Sequence, residues 1–248
     1  MKSLPFLVTI LLGTVLGCSH RVAVDTVEVI DTSLSITPRA EQAAMNAVRG
    51  QIERMERGDI LILIPITGDE LNDAGGRVLR LRVPNGRESY DADLRRFRRD
   101  ADAQFAAWAV MRGAEPERTD ILGSLDLARQ EIDSLPTASH RRLVIVSDFL
   151  EDDGQYRFAS DWSLANPERA RTLAARLRGQ RSVAIRGVPL CLGRLESADF
   201  PSLSPRRKDA VAAFWTAYFA PMRQGAAVQI DPARMLAGSD AGCFQGQP

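Results

Sequence analysis

Two short runs with almost no polar residue, Ile60-Leu61-Ile62-Leu63-Ile64-Pro65-Ile66 and Leu143-Val144-Ile145-Val146, constrain this chain more than any other feature in it. A strand covered on one face alternates apolar with polar residues. A run this continuous must be covered on both faces, as a central strand is in a parallel sheet between two helix layers. A third β-branched stretch, residues 22–30, precedes them. Between these runs the apolar spacing is helical. Ala40, Ala44, Ala47, Val48, Ile52 and Met55 follow Pro38 and stop at Gly58, and Leu94, Phe97, Ala101, Phe105, Trp108 and Met111 mark a second helix. Residues 121–135 form a third, so strand and helix alternate, which is the pattern of an α/β fold.

The remaining segments extend that order. Residues 77–83 read Arg-Val-Leu-Arg-Leu-Arg-Val, a half-exposed strand that belongs on a sheet edge, antiparallel to its predecessor. Helices at 167–178 and 205–222, a strand at 182–192 and a short last edge strand at 227–230 complete the chain. Val211, Phe214, Trp215, Tyr218 and Phe219 form an aromatic stripe whose spacing reads as core. The expected architecture is a Rossmann-like, doubly wound, mostly parallel sheet with one antiparallel edge strand and helices on both faces. At 248 residues and 45% hydrophobic, the chain suits one large domain. Lys+Arg and Asp+Glu are both 32, so nothing in the charge favours a polyanion, and nucleic acid is not an expected partner. The clusters Arg95, Arg96, Arg98, Arg99 and Arg206, Arg207, Lys208 read as solvated helix faces.

The N-terminal stretch implies a compartment. Met1-Lys2-Ser3 gives a short positive start, residues 4–16 are almost wholly apolar, and the run ends Val15-Leu16-Gly17-Cys18. That length has the proportions of a signal-peptide core rather than a mature membrane span. The ending resembles the lipobox of bacterial lipoproteins, with Val15 where that family usually has Leu. The resemblance implies cleavage before Cys18 and lipid on its sulfur, and Ser19 in place of Asp favours the outer membrane. The expected organisation is a signal peptide at 1–17, a tether at 18–21 carrying Cys18, one domain at 22–230 and a tail at 231–248. In an oxidising exported compartment the remaining pair, Cys191 and Cys243, is a plausible disulfide.

The chemistry gathers where strands end. Asp31-Thr32-Ser33-Leu34-Ser35 follows the first strand directly, Asp148 follows the strand that ends at Ser147, and Thr119 precedes the helix that begins near Ile121. Ligand groups in such sheets collect at the carboxyl ends of strands. Two carboxylates there can face each other only across a positive group, for which a hydrated divalent cation is the obvious candidate. Taken alone, Asp31, Ser33 and Ser35 also suit a helix N-cap and strand-end hydrogen bonding.

In order and in residues this set resembles the metal-ion-dependent adhesion site of the von Willebrand factor A family: Asp-x-Ser-x-Ser after the first strand, a Thr before a helix and an Asp after the fourth strand. The resemblance implies that Ser33, Ser35 and Thr119 bind Mg²⁺, Mn²⁺ or Ca²⁺ through hydroxyls. Asp31 and Asp148 would act mostly through bound waters, an oxygen-rich shell that suits Mg²⁺. It further implies an open coordination position that takes an acidic side chain of a protein partner. Phe149 departs from the pattern, since many members have Gly after that Asp, and it is expected either to alter the loop or to cover the ion. Glu151-Asp152-Asp153 lies on the same rim and reads first as a solvated loop, second as another cation site. Asp69, Glu70, Asn72 and Asp73 read as turn residues.

Enzyme activity is not expected. A phosphohydrolase using Asp31 would need a general acid nearby, and Ser33 stands where a haloacid-dehalogenase-type enzyme would carry a second Asp. The chain's histidines, His20 and His140, fall away from the strand ends. The reading is thus a lipid-anchored binding module held to the membrane by its lipid alone. Its alternatives are a fold with a purely structural ion and, less favoured, a metal-dependent phosphohydrolase. A lipid on Cys18 would hold the base of the first strand at the membrane and turn Asp31 away from it.

Overall fold

Strand β1 (Val24–Asp31) is buried along almost its whole length and lies at the centre of the sheet. The computed structural model describes residues 21–68, 77–86, 90–111, 118–137, 139–180 and 188–220. The expected signal peptide, Cys18, the acidic stretch at 69–73, the strand at 227–230, Cys243 and the tail at 231–248 lie outside the described residues.

β1 pairs in parallel with β2 (Ile60–Ile66) on one side and β4 (His140–Ser147) on the other. β5 (Leu190–Arg194) runs parallel beyond β4, while β3 (Leu79–Arg82) pairs antiparallel with β2 and gives the order β3-β2-β1-β4-β5. The alternation of β3 explains its edge position. Leu81 is buried against the core, whereas Arg80 and Arg82 face solvent, and Arg80 Nε donates to Glu131 at 3.0 Å. This is the mixed, mostly parallel sheet expected from the sequence.

Helices cover both faces, and the two-residue period of the strands decides which side chain meets which layer. Val27, Val29, Ile62, Ile64, Leu143 and Ile145 pack beneath α3 (Ile121–Ser134), α4 (Pro167–Gln180) and α6 (Pro205–Tyr218). Their neighbours Ile30, Leu61, Leu63 and Leu81 meet α1 (Pro38–Arg54) and α2 (Tyr90–Met111) on the other face. The stripe Val211, Phe214, Trp215 and Tyr218 of α6 is buried, as its spacing predicts. Among the described residues no helix is long and apolar enough to cross a membrane.

Three boundaries differ from the sequence expectation, each because a contact outvotes local propensity. α1 ends at Arg54 rather than near Gly58, because Asp59 draws the chain away: it accepts from the Glu56 amide at 2.8 Å and the Val24 amide at 2.9 Å. Gly58 then turns with φ of 81°. Of the strand expected at 182–192, residues 182–187 lie outside the described residues; β5 runs on to Arg194, because its pairing with β4 sets Leu143 opposite Leu190 and Ser147 opposite Arg194. The third difference is a short helix, α5 (Asp199–Ser202), that periodicity does not announce; the Ser197 hydroxyl accepts from the Phe200 amide at 3.2 Å and starts it.

The parallel strands all end on one side, which brings Asp31, Asp148 and the β5 end together. At the opposite end the described chain enters at Arg21. Eight residues of β1 separate the two ends by about 25 Å.

Candidate metal centre

Asp31 is the last residue of β1 and Asp148 the first after β4, so the parallel pairing of those strands sets the two carboxyl groups side by side. Both are only 1% exposed. Asp31 Oδ1 accepts from the Ser33 amide at 3.0 Å and Oδ2 from the Ser147 hydroxyl at 2.6 Å. Asp148 Oδ1 accepts from the Leu150 amide at 2.9 Å. Its Oδ2 is buried and makes no hydrogen bond of normal geometry, although the Ser197 hydroxyl is near enough to favour the charged form.

The electrostatics follow from this placement. Burial raises the Asp31 carboxyl above its usual range, partly offset by the hydrogen bonds from Ser147 and Ser33. Asp148 is pushed up to about 7, first by burial and then by the Asp31 charge beside it; Ser197 and the Leu150 amide pull it back, and Asp199 adds to the rise. Like charges buried together resist joint ionisation unless a cation lies between them. A buried carboxylate oxygen with no partner is the mark of a group whose ligand comes from outside the chain.

The hydroxyls stand in front. Ser33 and Ser35 lie in the turn between β1 and α1 with their Oγ atoms 3.1 Å apart, and together with Thr119 they line a cavity of about 350 Å³. Thr119 is brought there by two backbone hydrogen bonds to Asp152, at 2.9 and 2.8 Å, and by the Asp120 amide, which donates to the Thr67 carbonyl at 2.8 Å. Ser33, Ser35 and Thr119 thus line one cavity together with Glu151, Asp152 and Asp199, whereas Asp31 is buried at the end of β1 and Asp148 lines the neighbouring apolar cavity. Hard oxygen donors of this kind fit Mg²⁺ or Mn²⁺.

Phe149 does not cover this cavity. Its backbone takes φ of 64°, and its ring turns to the α6 side, edge-on to Trp215 with centroids 5.8 Å apart. It lines a separate, mostly apolar cavity of about 110 Å³. Covering the cavity is thus not what this residue does, and its backbone takes a conformation that glycine adopts freely.

The acidic rim differs from the reading as a solvated loop. Glu151 is 1% exposed, and its Oε2 accepts from the Leu122 amide at 3.1 Å; Asp120 caps α3 by accepting from the Gly123 amide at 2.6 Å. Both carboxylates lie at the N-terminus of α3, where the helix dipole favours negative charge. A Cβ on Gly123 would come within 2.1 Å of Asp120 Oδ2, so only glycine admits this cap. Asp120, Glu151 and Asp153 bring carboxylate oxygens within 4.8 Å of one another, close enough to hold a metal ion. Asp152 takes no part in that group and pairs with Arg157 at 3.3 Å. Asp120, Ser147 and Ser197 escaped sequence reasoning, whereas Glu151 reads there, with Asp152 and Asp153, as a solvated loop or, second, a cation site. Only Asp120 left a signal, an N-cap residue three positions before a glycine that opens the helix.

His140 opens β4 at the end opposite Asp148. Cys191 is buried in β5 at 7% exposure.

No protein-family model matches the sequence, and no curated protein matches it. Solved structures do. A manganese-loaded TRAP protein from Plasmodium vivax aligns with a TM-score of 0.38 and 14% identity over 77% of this chain and 62% of its own. A von Willebrand factor type A structure from Catenulispora acidiphila aligns at 0.38 and 15% over 79% of this chain and 42% of its own. The fold thus has von Willebrand factor A domains among its neighbours. Three N-terminal domains of the type V pili tip protein Mfa5 from Porphyromonas gingivalis align at 0.37 and 16% over 64% of this chain and 27% of theirs. The chain therefore spans less than two thirds of the length of each. These are distant likenesses of fold, and the site itself is carried by strand order and by the residues at the ends of β1 and β4.

Proposed function

We propose that this chain is an envelope lipoprotein whose upper face binds a divalent cation and uses it to grip an acidic side chain of a protein partner. The observation that carries the reading is the pair of buried, adjacent carboxyls, Asp31 and Asp148, at the strand ends, next to the turn whose Ser33 and Ser35 line a cavity with Thr119. In this reading the three hydroxyls bind Mg²⁺ or Mn²⁺ directly, and the two carboxylates hold its waters. A shell with few direct carboxylates leaves the ion electron-poor, so an incoming carboxylate is a good last ligand. In this reading the chain's own residues bind and orient the ion and its ligand.

The lipid anchor and the facing of the site belong to the same proposal. Arg21, the first described residue, pairs with Asp59 at 2.9 Å at the lower end of the sheet, opposite the candidate site. A lipid on Cys18 would thus hold the lower end at the membrane and leave the cavity open to soluble partners. The acidic group Asp120, Glu151 and Asp153 favours a second reading, in which the ion only staples the loops above α3.

Calorimetric titration of Mg²⁺ into the wild type and Asp31→Ala tests the metal: heat from the wild type alone is expected, and equal heats would overturn the proposal. Capture of envelope proteins with and without EDTA separates a gripping ion from a structural one. Palmitate labelling that disappears in Cys18→Ala tests the anchor.

A further inference from the structure

Among the described residues, Phe149 is the one non-glycine with a positive φ, at 64°. A bulky side chain there strains the backbone and persists only where the surroundings over-determine it. The surroundings are specific. The Phe149 carbonyl accepts from Trp215 Nε1 at 2.9 Å, and the two rings meet edge to face at 62°. The Phe149 amide donates to the Ser147 hydroxyl at 2.9 Å, and that hydroxyl donates in turn to Asp31 Oδ2 at 2.6 Å. One residue further on, the Leu150 amide donates to Asp148 Oδ1 at 2.9 Å. The strained residue therefore stands between the hydrogen bonds that orient the two site carboxylates.

Trp215 is itself immobilised. It is 4% exposed in α6, and its ring packs on Phe158, Phe214, Tyr218 and Phe219 at centroid distances of 4.9 to 5.9 Å. It lines the apolar cavity on the α6 side and not the hydroxyl-lined one. Its indole N–H thus has one role at the site, which is to hold a backbone carbonyl.

We propose that Trp215 is a positioning residue of the metal centre: its N–H pins the strained Phe149 peptide so that Asp31 and Asp148 are aimed at a common cation. This rests on the metal reading above. The coupling makes a prediction that a merely structural tryptophan would not. If Trp215 acts by holding a left-handed backbone, a residue that adopts that backbone freely removes the need for it.

The test is Mn²⁺ affinity, read by electron paramagnetic resonance of the free ion, in the full-length wild type and four variants, with thermal unfolding alongside. Trp215→Phe keeps an aromatic ring and removes the donor, and is expected to weaken Mn²⁺ about tenfold, as loss of an outer-shell partner does. Phe149→Gly is expected to bind like the wild type, and Phe149→Gly/Trp215→Phe to recover to within about threefold of it. Benzothienylalanine at position 215, which removes the N–H while preserving the ring shape, should weaken Mn²⁺ as Trp215→Phe does and guards against a folding defect. Unchanged affinity in both position-215 variants would overturn the proposal, as would a double variant as weak as Trp215→Phe. A wild type that binds no Mn²⁺ would overturn the metal reading and this proposal with it, whereas wild-type binding with flat variants would sink this proposal alone.

Discussion

Asp59 at the lower end of the sheet and the pair Asp31 and Asp148 at the upper end are buried carboxylates with different surroundings. At the lower end, Asp59 is 5% exposed and fully supplied: Oδ1 accepts from Arg21 and the Val24 amide, each at 2.9 Å, and Oδ2 from Arg21 at 2.9 Å and the Glu56 amide at 2.8 Å. At the upper end, Asp31 and Asp148 are buried more deeply than Asp59, lie beside each other, and Asp148 Oδ2 makes no hydrogen bond of normal geometry, with only the Ser197 hydroxyl near. Asp59 has donors for both oxygens, as a buried carboxylate that serves the fold alone can. A carboxylate buried for a ligand keeps bonding capacity in reserve and weakens the empty fold.

The contrast can be broken by experiment. Asp59→Ala strands two amides and the Arg21 guanidinium, and should lower stability by about 3 kcal/mol in urea unfolding, with Mg²⁺ affinity unchanged. A loss of Mg²⁺ affinity there would show that the two ends are not independent. Asp148→Asn should act in the other direction, raising metal-free stability by about 1 kcal/mol by removing a buried like charge while abolishing the rise in Tm on adding Mg²⁺. If Asp148→Asn destabilises the metal-free protein, the upper pair is structural after all.

The pH dependence sharpens the same comparison. The folded Asp148 carboxyl titrates near 7 and the unfolded one in the ordinary carboxylate range, so between these values the native state holds more protons. Its contribution is therefore fully present at acid pH and lost as pH rises towards 7. Metal-free unfolding followed from pH 4 to 8 should show stability falling through that window, and saturating Mg²⁺ should flatten the fall. A metal-free profile that rises with pH would contradict the burial of this pair. Smallest of all should be Arg129→Ala, which removes an exposed pair with Asp133 at 3.2 Å and should change stability by less than about 0.5 kcal/mol.

Much of this arrangement is legible in the chain before folding is considered. The central strands announce themselves because burial on both faces leaves no room for polar residues, and β3 announces its edge because arginine cannot face a core. The placement of the candidate residues was legible in the same way, since Asp31, Ser33, Ser35, Thr119 and Asp148 all sit where a strand ends or a helix begins. What stayed hidden has its partners far away in sequence. Nothing around Glu151 foretells that it turns inward to meet the Leu122 amide, because its acidic neighbours suggest solvent. Trp215 reads only as core, since its hydrophobic ring is a local property and the acceptor for its N–H lies 66 residues away.

The amino-acid order thus determined the layers, which strands are buried on both faces and which lies on an edge, and which residues offer oxygens at the strand ends, because periodicity and residue chemistry are properties of single segments. Only the tertiary structure decided that two aspartates share one buried space, that Asp148 titrates near neutrality, and that a phenylalanine occupies a backbone conformation suited to glycine. Those outcomes depend on distances between segments, and burial turns such distances into energies that no local window of sequence contains.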